Sequence, residues 1–69
     1  MKSLRDLRSE KGLTQDQLAS LAGISQGSLS QYETGDVTPS LANVKRLSSA
    51  LEVSVEVLIR SLEPKGEEQ

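Results

Sequence analysis

The stretch from Thr14 to Glu33, TQDQLASLAGISQGSLSQYE, reads as a helix, a sharp turn and a second helix. Thr14 can cap the first helix, since its hydroxyl accepts from an orphan backbone N–H, and Gln17 sits three residues on, where it can reach back. Leu18, Leu21 and Ala22 fall at i, i+3 and i+4, one apolar stripe. Gly23 stops the helix because glycine takes a positive φ at little cost, and Ile24 is expected to be buried in the turn. Ser25 caps the second helix. There Leu29 and Tyr32 face inward at i and i+3, leaving Gln26, Ser28, Ser30 and Gln31 on other faces. Ala19 has to be small, because the two helices must cross closely.

Outward from this stretch the same signals recur. Ser3 and Asp6 form a capping pair for a first helix, about Leu4 to Lys11, with Leu4 and Leu7 inward and Arg5, Arg8 and Lys11 more exposed. Gly12 ends it and Leu13 tucks back. Helices two and three span roughly Gln15 to Leu21 and Gln26 to Glu33. A loop, Thr34 to Pro39, follows, with Gly35 suited to a C′ position and Pro39 biasing Thr38 to extended backbone. Ser40 caps a fourth helix, Leu41 to Leu51, with Leu41, Val44, Leu47, Ala50 and Leu51 inward. Ser54 caps a fifth, to about Ser61, with Val57 and Leu58 as core contacts. Residues 63–69 lack any apolar period. The sequence thus predicts an all-α domain of five short helices over residues 1–62 and a flexible acidic tail over 63–69.

Sixty-nine residues make one small domain, and the chain has no cysteine and no histidine. Neither disulfides nor thiolate metal sites can brace it, and the commonest general base and metal ligand is missing. No glycine-rich phosphate loop is present. The inventory points away from an enzyme, and no metal or cofactor is expected. No apolar run approaches the roughly 18 residues of a membrane span and no signal-peptide pattern opens the chain, so a cytoplasmic protein without membrane contact is expected. The net charge is −2, and Glu63, Glu67 and Glu68 against Lys65 account for all of it. Any attraction for phosphate must therefore come from a local patch and from helix N-termini.

The Thr14–Glu33 stretch resembles the helix-turn-helix of phage repressors and Cro-type regulators, the Xre family. The resemblance rests on the small Ala19, on Gly23, and on apolar Ile24 and Leu29, with Glu33 closing the motif. It continues through ETGDVTPSLANVKRLSSALEVSVEVL and covers about Leu4 to Ile59. It implies a compact five-helix, lambda-repressor-like domain. The implied function is that of a sequence-specific DNA-binding regulator, a repressor, occupying a palindromic operator on double-stranded DNA as a homodimer. The third helix would then lie in the major groove. Gln26 is the first candidate reader, since glutamine can pair bidentately with adenine; Gly27, Ser28 and Gln31 join it as base-contact candidates. The alternative for each is a solvated helix face.

Gln15 is the chief phosphate candidate, since the matching glutamine in similar repressors bonds a phosphate; its alternative is an exposed first-turn residue. Thr14, Ser25, Ser30 and Arg8 complete the phosphate set. In similar repressors an arginine of helix one pairs with the glutamate ending helix three. Arg8 and Glu33 match those types, either as a salt bridge alone or with Arg8 also oriented to phosphate. Tyr32 reads as a core-edge aromatic. In similar proteins the fifth helix and its flanks form the two-fold contact, which makes Val53, Val55, Ile59 and Leu62 candidates for a dimer interface; the alternative is packing within the monomer.

Two residues depart from the family pattern. Gly27 stands where relatives carry a long polar reader, and either permits close backbone approach or lowers specificity. Asp36 stands where relatives often place a basic residue, and would repel DNA. These departures motivate a second reading: a protein-interaction or antitoxin module on the same fold, with a toxin or anti-repressor as partner.

Overall fold

The computed structural model describes residues 2–62. Among them the chain forms five helices, α1 (Leu4–Glu10), α2 (Gln15–Ala22), α3 (Gln26–Thr34), α4 (Leu41–Leu51) and α5 (Val55–Ser61). The acidic tail expected over 63–69 lies outside the described residues.

Each helix starts at a hydroxyl cap. Ser3 and Thr14 form full capping boxes with Asp6 and Gln17, and Ser25, Ser40 and Ser54 accept from Ser28, Asn43 and Val57. Each such bond satisfies one of the backbone donors that a helix N-terminus leaves unpaired. Gly23 and Gly35 end α2 and α3 with φ of 73° and 87°, a region an L side chain enters only with strain. Because Gly35 occupies that cap, Thr34 belongs to α3 rather than to the loop. Ala22 likewise extends α2 by one residue, whereas Lys11 caps α1 instead of lying within it.

Glu52 holds the same left-handed conformation at the end of α4, with φ of 59°, and carries a Cβ there. Its carboxylate accepts from Lys11 Nζ at 2.9 Å, which ties the ends of α1 and α4. That hydrogen bond, helped by the lysine charge, holds the Glu52 carboxyl below the usual carboxylate range. A lowered folded-state pKa means that this contribution is present at neutral pH. It is lost as pH falls through the folded value. Glu52→Gly removes both the tie and the strained backbone. The pair is exposed and weak, so the melting temperature is expected to rise, a result thermal denaturation followed by circular dichroism would check.

The core is one buried cluster that includes Leu4, Leu7, Leu18, Leu29, Leu47, Leu51 and Leu58. Helix α2 packs on α3 and α4, α4 on α5, and α1 spans α3 and α5. Three residues expected inside are not. Leu21 is 63% exposed, Leu41 62% and Val57 44%. Leu18, Ala19 and Ala22 define the covered arc of α2, and Leu21 lies about 60° outside its edge. Leu41 opens α4 one turn before the first buried residue, Val44, and Val57 lies about 100° around α5 from the buried Leu58. Ala50 is only half-buried, whereas Ser48 is buried and donates its hydroxyl to Lys45 O at 2.9 Å. Among the described residues no buried side-chain polar atom lacks a partner.

Candidate nucleic-acid interface

Helix α3 buries Leu29 and Tyr32 and turns the rest of its length outward. Gln26, Gly27, Gln31 and Thr34 are exposed, and Ser28 and Ser30 are half-buried. Gly27, Ser30, Gln31 and Thr34 form the outermost face. Thr34 was missing from the sequence-based candidates; the Gly35 cap was the signal that could have placed it on this face.

The inward face is pinned at both ends. Tyr32 is 8% exposed, and its hydroxyl accepts from Asn43 Nδ2 of α4 at 2.9 Å. Near the other end, Ile24 packs half-buried against the core, and its N–H donates to Ala19 O at 3.0 Å across the turn. Ala19 itself is 3% exposed, as a close crossing of α2 and α3 requires.

A polar line runs along one edge of α3. Arg8 grips Glu33 with two bonds, Nε to Oε2 at 2.6 Å and Nη2 to Oε1 at 3.2 Å, and its Nη1 donates to Leu13 O at 2.9 Å. The two side chains are only 12% and 6% exposed. The hydrogen bonding of Arg8 to the Glu33 carboxylate raises the Arg8 pKa against the opposing cost of burial. Gln15 Nε2 then donates to Glu33 Oε1 at 2.9 Å, and Gln26 Nε2 donates to Gln15 Oε1 at 2.6 Å. Four residues from three helices are thereby linked, with Gln15 in the first turn of α2 bridging the two ends of α3. Arg8 thus commits three of its five N–H donors within the protein.

The remaining phosphate candidates divide by what their caps leave free. Thr14 Oγ1 accepts from Gln17 N–H and keeps its proton. Ser25 Oγ accepts from Ser28 N–H and donates to Ser28 Oγ at 2.9 Å, so its own proton is spoken for and that of Ser28 is not.

At Gly27 a Cβ would meet nothing within 4 Å. Gly27→Ala is therefore expected to stabilise the fold by up to ~1 kcal/mol, the helix-propensity difference, as measured by urea unfolding. In the same variant, weaker DNA binding would mark a close backbone approach at Gly27, and unchanged binding would mark an open site.

Of the dimer candidates, Val53, Val55 and Leu62 are half-buried and pack against the core, while Ile59 is 46% exposed. Val55, Ile59 and Leu62 fall at i, i+4 and i+7, one stripe along α5. Among the described residues no group of acidic side chains is placed to hold a metal ion, and no helix is long and apolar enough to cross a membrane.

A helix-turn-helix family model matches residues 4–58, most of the chain. The chain belongs to the Xre-type helix-turn-helix family of DNA-binding regulators. This helix-turn-helix protein is 37% identical over 65 residues to the HTH-type transcriptional regulator DdrOP3 of Deinococcus deserti, covering 94% of this chain and 50% of that one. It is 40% identical over 57 residues to the HTH-type transcriptional repressor RghR of Bacillus subtilis, covering 81% of this chain and 42% of that one. The chain spans about half the length of the curated relatives it matches. Among solved structures, it is similar to the restriction-modification controller protein C.AhdI from Aeromonas hydrophila. That likeness has a TM-score of 0.75 and 37% identity, and covers 87% of this chain and 85% of that one. The fold of this helix-turn-helix domain is thus shared with a controller protein of nearly the same extent.

Proposed function

We propose that this helix-turn-helix protein is a sequence-specific transcriptional repressor that occupies a palindromic operator as a homodimer, acting in the cytoplasm without chemistry of its own. The observation that carries this reading is the exposed α3 face with Gln26 tethered to Gln15, so that a base reader and a phosphate contact stand side by side. Gln26 reads a base edge, Ser28 and Gln31 extend the readout along the groove, and Gly27 admits the backbone. Gln15 bonds a phosphate with the amide proton that Glu33 leaves free, aided by the first turn of α2. Thr14, Ser25 and Ser30 lie along the same strand, and Arg8 serves the contact indirectly by holding Glu33. The name of the similar RghR, a repressor, supports the direction of regulation.

The dimer places two α3 helices about 34 Å apart, the spacing of successive major grooves. The stripe of Val55, Ile59 and Leu62 on α5, with Val53 at its foot, forms the two-fold contact.

The test is selection from a random duplex library followed by titration at several salt concentrations. Affinity is expected to fall steeply with salt, as counterion release requires, and the selected sites to be inverted repeats. Absent or salt-independent binding would remove the proposal. A preparation that instead retains a stable protein partner and no DNA would favour the interaction-module reading.

A further inference from the structure

Gln26 and Glu33 lie on the same edge of α3, seven residues and about two turns apart. Gln15 reaches both, giving its nitrogen to Glu33 and its oxygen to Gln26. A free carboxamide can rotate by half a turn and exchange its donor for its acceptor. Here the carboxylate removes that freedom. Both oxygens of the Glu33 carboxylate accept from Arg8, and a carboxylate can only accept. Gln15 must therefore offer it the nitrogen, which leaves Gln15 oxygen for Gln26. Gln26 must in turn offer its own nitrogen to Gln15.

The consequence lies in what Gln26 has left. It keeps one N–H and its carbonyl oxygen, the donor and acceptor that match N7 and N6 of adenine. With the line reversed, its oxygen would be engaged and two N–H groups would remain, which match the two acceptors N7 and O6 of guanine. We propose that Glu33 is a specificity-determining residue: its carboxylate, acting through Gln15, sets the donor–acceptor sense of Gln26 and so the preference for adenine over guanine. This rests on the reading of Gln26 as a base contact.

The test uses the full chain and four duplexes that differ only at the base pair where the selected site is least tolerant. Wild type, Gln26→Ala, Gln15→Met and Glu33→Gln are titrated against all four, with folding checked by circular dichroism. Wild type is expected to prefer adenine over guanine by on the order of tenfold, and Gln26→Ala to abolish that ratio. Glu33→Gln frees the line to reverse, and its ratio is expected to drop within about threefold of unity or to invert toward guanine. Gln15→Met keeps the Arg8–Glu33 pair and removes the relay together with the Gln15 phosphate contact. It should lower the ratio in the same way while weakening all four duplexes together, because a lost phosphate contact is blind to sequence. If Glu33→Gln fails to fold, Gln15→Met decides alone. An adenine preference that vanishes in Gln26→Ala yet stands at full size with Gln15→Met overturns the relay and leaves the base contact intact. A preference that survives Gln26→Ala overturns the base contact and the relay with it.

Discussion

Arg8→Met is expected to destabilise the domain by about 3 kcal/mol or more, the range seen when one partner of a buried ion pair is removed. The side chain of Glu33 is only 6% exposed and would be left with Gln15 as its one remaining side-chain donor. For a domain of this size each kcal/mol moves the melting temperature by roughly 4–8 °C, so a fall on the order of 12 °C or more is expected. The diagnostic companion is the double variant Arg8→Met, Glu33→Leu, which leaves no buried charge behind. It is expected to recover much of the lost stability, since the pair as a whole nearly balances its own desolvation, while weakening DNA binding as the Gln15 anchor is lost. A single variant that melts within a few degrees of wild type would show that the pair is more hydrated than its geometry indicates.

Leu29→Ala is the second large effect. Leu29 is fully buried in the only side of α3 that faces the core, and truncating such a leucine costs roughly 2–5 kcal/mol through lost transfer energy and the cavity left behind. Small domains have little stability in reserve, so substantial unfolding at physiological temperature is expected. Leu21→Ala makes the same chemical change one helix earlier, at a residue 63% exposed, and is expected to stay within about 0.5 kcal/mol of wild type. Urea denaturation of the two variants checks both values. Equal costs would mean that α2 and α3 pack through other faces than those described.

That pair of leucines also marks how far the sequence could be read. Helix starts were legible because a hydroxyl three residues ahead of its backbone donor is a local signal, and Ser3, Thr14, Ser25, Ser40 and Ser54 all act as the spacing implies. Helix ends were legible to within a residue: α4 stops at Leu51 as read, although its left-handed cap Glu52 carries a side chain, and α2 and α3 each run one residue further, up to the glycines that cap them. Periodicity located the apolar stripe of each helix but not its covered width. That width depends on which neighbours reach it, and Leu21, Leu41 and Val57 lie where none does. The family resemblance, not the spacing, pointed to the pairing of Arg8 with Glu33. The bridge by Gln15, the tie of Asn43 to Tyr32 and that of Lys11 to Glu52 join residues 11 to 41 apart, and only the crossing of the helices brings them together.

The central claim is that the polar outer face of α3, led by Gln26, is what meets DNA. Backbone amide chemical shifts during titration with a selected operator duplex test it most directly. The expected result is a set of perturbations concentrated on Gln15 and on Gln26 to Thr34, with Arg8 following as its partner Glu33 is tightened. Perturbations centred on α4 and α5 with α3 unmoved, or none at saturating duplex, would contradict it.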